Sequence, residues 1–76
     1  MKVYLNNEFN IDDNAYIAKG AHLRGNIEIG ADSSVWDSAV IRADIEAVKI
    51  GYGSSIQDNV TVHVDIDKPT IIGDFV

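Results

Sequence analysis

Ile17-Ala18-Lys19-Gly20-Ala21-His22-Leu23-Arg24-Gly25-Asn26-Ile27-Glu28-Ile29-Gly30-Ala31-Asp32-Ser33-Ser34-Val35 carries a branched aliphatic residue at every sixth position, Ile17, Leu23, Ile29 and Val35. The step reaches back to Ile11 and on to Ile41. It then slips by three at Ala47-Val48-Lys49, resumes at Ile50, Ile56 and Val62, slips by four, and resumes at Ile72. Four places after each anchor stands a second residue, mostly small or β-branched, as at Ala15, Ala21, Ile27, Ser33, Ala39, Ile45, Ser54 and Val60. A helix presents its apolar face about every 3.6 residues, which a six-residue step does not match; short β segments joined by turns match it directly. Turn-forming residues fall where corners are needed, at Lys19-Gly20, Arg24-Gly25-Asn26, Gly51-Tyr52-Gly53 and Asp58-Asn59. Repeats of this kind read as a parallel β-helix. An antiparallel sandwich or barrel of short strands is the plainer alternative, and an unbroken run of six-residue steps argues against it.

With three hexapeptides to a coil, eighteen residues return the chain to the same face and stack equivalent positions about 4.8 Å apart. Ile11, Ile29, Ile50 and Ile72 then form one column, Ile17, Val35 and Ile56 a second, and Leu23, Ile41 and Val62 a third. The expected organisation is a single domain over residues 1–76. Residues 1–10 are an N-terminal strand or cap, 11–28 and 29–46 two coils, 50–71 a third coil with an excursion loop at 64–69, and 72–76 the start of a fourth. One place past the third-column anchors come Arg24, Arg42 and His63, and three places past come Asn26, Asp44 and Asp65. The columns therefore place a carboxylate beside both a guanidinium and an imidazole.

A chain of 76 residues buries only about 60% of its unfolded surface, so regular stacking or partners must add to its stability. Six Lys and Arg against twelve Asp and Glu give a net charge of −6, which disfavours nucleic acid and anionic membranes as partners. No apolar run approaches the roughly 20 residues of a membrane span, and Met1 to Glu8 does not read as a signal peptide. A cytoplasmic address is expected. The chain has no cysteine and two histidines, so a metal here requires His, Asp or Glu.

From Val35 to Val76 the chain resembles the γ-class carbonic anhydrases and related hexapeptide-repeat proteins. The likeness rests on Val35-Trp36, Ala39-Val40-Ile41-Arg42-Ala43-Asp44, Lys49-Ile50-Gly51, Ser55-Ile56-Gln57-Asp58-Asn59-Val60, Val62-His63 and Pro69-Thr70-Ile71-Ile72-Gly73-Asp74. It implies an all-β, left-handed parallel β-helix of three to four coils, usually assembled as a trimer. It also implies reversible CO2 hydration at a zinc, iron or cobalt ion. Carried over by position, Arg42 and Asp44 belong to a subunit-interface network, Gln57 and Asp58 are the catalytic-site pair, and His63 is a metal ligand.

The resemblance also sets expectations of what is lacking. Family members continue into a Gly-His segment and a second histidine five residues beyond the first, whereas this sequence reaches only Val76. Catalytic zinc takes three protein ligands and an open position, so the site is expected to be incomplete and no metal stably held by this chain alone. Some members carry a glutamate directly after the Arg-x-Asp aspartate; Ile45 stands there, and Glu46, one place late, is expected to point elsewhere by β alternation. The readings left open are a metal-dependent lyase, inactive by itself, a non-catalytic β-helix assembly module, and a relative of hexapeptide acyltransferases. A homo-oligomer is expected in each, either a trimer or an end-to-end stack of open coils.

Overall fold

The computed structural model describes residues 7–64 and 70–76. Eight strands follow in order: β1 (Glu8–Ile11), β2 (Tyr16–Ile17), β3 (His22–Ile29), β4 (Ser34–Val35), β5 (Val40–Ile50), β6 (Ser55–Ile56), β7 (Thr61–His63) and β8 (Thr70–Ile72). All pairings among them are parallel. There is no helix among the described residues. Parallel neighbours cannot be joined by a tight hairpin, so each strand must travel round the molecule before meeting its partner. Three faces result, and β3 and β5 each bend from one face to the next.

The register reproduces the three aliphatic columns. Ile11 pairs with Ile29, Ile29 with Ile50 and Ile50 with Ile72. Ile17 pairs with Val35 and Val35 with Ile56, while Leu23 pairs with Ile41 and Ile41 with Val62. Ile29, Val35, Ile41, Ile50, Ile56 and Val62 are buried in one core, with Ile11, Ile17, Leu23 and Ile72 packed against it. Like stacks on like because each interior position meets the same position one coil away, and β-branched side chains suit a pleated surface.

The corners repeat as well. Asp32, Gly53 and Phe75 take positive φ on successive coils at one corner, and Ser38 and Asn59 do so at another. At the first of these a buried serine ladder ties the coils together. Ser33 Oγ donates to the Gly51 carbonyl and accepts the Ser54 amide at 3.0 Å. Ser54 Oγ donates to the Gly73 carbonyl and accepts the Val76 amide at 3.2 Å. The two hydroxyls satisfy backbone groups that the corner removes from the strand ladders.

One expectation is corrected. The register slip lies three residues earlier than Ala47-Val48-Lys49. Gly25 pairs with Ala43 but Ile27 pairs with Val48, so residues 44–47 stand opposite Asn26 alone. Packing selects this bulge, because Val48 is fully buried next to Ile27, filling the interior place expected for Ile45. Residues 44–47 are all half-buried, so the strict alternation that would turn Glu46 to the face opposite Ile45 does not hold across them. The excursion loop lies outside the described residues except for Val64, which is buried in the core. Asp65, expected to stack on Asp44, is likewise outside them, as are residues 1–6 of the N-terminal segment; residues 8–10 belong to β1.

Candidate functional site

Arg24, Arg42 and His63 lie in register on β3, β5 and β7, one above another on the outside of the third face. They project outward because each follows an inward anchor by one residue, and strand side chains alternate. Arg42 Nη2 donates to Asp44 Oδ2 at 3.2 Å, and His63 Nε2 stands 4.0 Å from Asp44 Oδ1. The bulge delivers this arrangement, since Asp44 is its first residue and turns its carboxylate to the space between two coils. Desolvation pushes the Asp44 carboxyl up. The Arg42 hydrogen bond, a backbone hydrogen bond and the charges of Arg42 and His63 outweigh it, leaving the group below the usual aspartate value.

A shallow groove of about 540 Å³ runs beside Arg42, lined by residues 21–24 and 40–42. His22 is exposed at the start of β3 and forms part of the groove wall. It shares a row with Val40 and Thr61, not with His63. The two histidines therefore do not meet on neighbouring strands.

Gln57 and Asp58 are exposed at the corner between the second and third faces. Gln57 Nε2 donates to Ser55 Oγ at 2.6 Å. Asp58 is next to Asn59, whose φ of 64° makes the turn, and the Asp58 carboxylate makes no hydrogen bond among the described residues. The turn closes through the Val60 amide on the Gln57 carbonyl at 3.3 Å. No hydrogen bond or ion pair joins the Gln57 and Asp58 side chains to Arg42, Asp44 or His63 among the described residues. Trp36 and Tyr52, both partly exposed, pack on aromatic neighbours, Trp36 on Tyr16 at 5.0 Å and Tyr52 edge-on to Phe75 at 5.3 Å.

Sequence reasoning missed Ser34 and Ser55. Their signal was present: both fall one place before a second-column anchor and pair directly across β4 and β6. Only geometry shows that their hydroxyls reach Trp36 and Gln57.

Among the described residues no three His, Cys, Asp or Glu side chains converge in a way that would hold a metal ion. His63 and Asp44 are two donors, one short of the three protein ligands a catalytic zinc takes. The described residues therefore do not by themselves fit a metal centre.

No protein-family model matches the chain. Over 66 residues, 87% of its length, it is 52% identical to a probable carbonic anhydrase of Methanocaldococcus jannaschii, of which that segment is 42%. It is 40% identical over 42 residues to mitochondrial gamma carbonic anhydrase 3 of Arabidopsis thaliana, covering 55% of this chain and 16% of the plant protein. It is also 40% identical over 48 residues to an uncharacterized transferase of Bacillus subtilis, covering 63% of this chain and 28% of that protein. The chain spans less than half the length of the curated relatives it matches. An all-parallel coil with its aliphatic columns in register, shared over most of its length with an archaeal relative of that description, places this chain in the γ-carbonic anhydrase-like family of left-handed parallel β-helices.

Proposed function

We propose that this chain is a γ-carbonic anhydrase-like β-helix that contributes one metal-ligand position, His63, and does not hold a metal or hydrate CO2 by itself. Asp44, set between Arg42 and His63 across adjacent coils, carries the reading. It orients one imidazole and one guanidinium on the same outer face, where a second chain or further polypeptide can add donors. The Arg42–Asp44 pair is then an interface group. Gln57 and Asp58 are the polar residues nearest the reacting water and carbon dioxide. Kinship with carbonic anhydrases implies a metal in the family; zinc, iron and cobalt are the candidates, and when bound such an ion lowers the pKa of water to about 7.

A non-catalytic assembly module is the second reading, favoured by the absence of a three-donor group among the described residues and by Ile45 in the place where some members carry a glutamate. Hexapeptide repeats suit both readings, as does a homo-oligomer, either a trimer or an end-to-end stack. No helix among the described residues is long and apolar enough to cross a membrane. The cytoplasm is the proposed compartment, although the plant relatives are named as mitochondrial.

Elemental analysis after refolding with zinc, iron or cobalt, together with a CO2 hydration assay, tests the proposal. The expected result is well under one ion per chain and hydration at the uncatalysed rate. One tightly held ion per chain with measurable hydration would overturn it. Light scattering of the same sample tests assembly, and a stable monomer would remove the oligomer from the proposal.

A further inference from the structure

Gln57 is the end of a hydrogen-bonded chain that begins one coil below. The Trp36 indole N–H donates to Ser34 Oγ at 3.0 Å, Ser34 Oγ lies 3.2 Å from Ser55 Oγ, and Gln57 Nε2 donates to Ser55 Oγ at 2.6 Å. Ser34 and Ser55 are register partners on β4 and β6, so the backbone ladder sets their separation. Trp36 is held from beneath by Tyr16, with the rings 5.0 Å apart and tilted by 48°.

An indole nitrogen donates and cannot accept, so Ser34 Oγ is the acceptor in the bond from Trp36. Ser34 Oγ in turn donates to Ser55 Oγ. Ser55 Oγ has two lone pairs, and it accepts from Ser34 on one side and from Gln57 on the other. The Gln57 carboxamide is thereby tied down through its nitrogen, and Oε1 is left as an acceptor.

We propose that Trp36 and Ser34 are positioning residues for Gln57, acting through the Ser55 hydroxyl so that the carboxamide presents Oε1 to the hydroxyl of bicarbonate or of the attacking water. The proposal rests on the reading of Gln57 as a reaction-site residue. A free glutamine populates several rotamers and both amide orientations; a side chain held in one of them accepts a hydrogen bond without first being ordered. Trp36 and Ser34 touch neither reactant and act at one remove.

The chain has one tryptophan and one glutamine, so 15N-edited NMR of the intact chain gives a single indole signal and a single glutamine carboxamide pair. In Ser55→Ala the Gln57 carboxamide protons should move to the position of a free amide and exchange several-fold faster with solvent. Ser34→Ala and Trp36→Phe should move them part of the way, although Ser34 is separated from Gln57 by Ser55 and phenylalanine keeps the ring on Tyr16. Ser55→Thr, which keeps the hydroxyl, should leave them in place. Unchanged Gln57 signals in Ser34→Ala and Trp36→Phe, against a shift in Ser55→Ala, would end the chain at Ser55 and overturn the proposal; so would unchanged signals in Ser55→Ala. Ser34→Ala, which removes one oxygen from a half-buried side chain, carries the test if Trp36→Phe does not fold. No metal or substrate enters the measurement, so its outcome is independent of the metal and hydration assays that test the anhydrase reading.

Discussion

Arg42 and His63 are direct register partners on β5 and β7, and the Asp44 carboxylate lies 3.2 Å from the first and 4.0 Å from the second. One carboxylate, delivered by the adjacent bulge, thus stands between a guanidinium and an imidazole stacked at strand spacing on one outer face.

Asp44 should therefore make the stability of the fold pH-dependent. Its carboxyl titrates lower in the folded chain than the roughly 3.9 of an unfolded aspartate. The stabilisation is fully present above the unfolded value and is lost as the pH falls through the lowered folded value. Urea unfolding of the native chain and of Asp44→Asn should show the largest difference above about pH 5, narrowing steadily toward acid. A difference that is constant with pH would show that the carboxylate charge has no part in it.

The columns predict where truncation is costly. Ile41 is fully buried between Leu23 and Val62, so Ile41→Ala should cost about 2–5 kcal/mol in equilibrium unfolding. Ile71 is on the outside of β8 and 71% exposed, so Ile71→Ala should change stability by no more than about 0.5 kcal/mol.

Glycines should divide in the same way. Gly25 has a φ of 93°, and a Cβ there would lie 2.0 Å from the Ala43 carbonyl oxygen across the bulge. Gly25→Ala should destabilise the chain by at least about 2 kcal/mol. A Cβ on Gly73 would meet nothing within 4 Å, and Gly73→Ala should be neutral or stabilising by up to about 1 kcal/mol. Thermal unfolding of the pair distinguishes the two positions.

The serine ladder gives a further test. In Ser33→Ala the buried Ser54 amide loses its acceptor and the Gly51 carbonyl its hydroxyl donor. A loss of about 1–3 kcal/mol is expected, together with faster hydrogen exchange at the Ser54 amide. Unchanged exchange would show that water replaces the hydroxyl.

The sequence by itself determined the coil. An aliphatic residue at every sixth position admits one arrangement in which each anchor meets its own kind, and the pairings of Ile29 with Ile50, Val35 with Ile56 and Ile41 with Val62 follow from it. The outward column of Arg24, Arg42 and His63 was legible for the same reason. The place of the extra residues was not, because periodicity counts them between Ile41 and Ile50 without saying which leave the ladder. Packing decides that: Val48 fills the interior beside Ile27, the bulge opens at Asp44, and Gly25 lets the Ala43 carbonyl come close. Likewise nothing in the sequence links Ser34, Ser55, Trp36 and Gln57 to one another. Their connection depends on hydroxyl directions across two coils, which only the tertiary structure specifies.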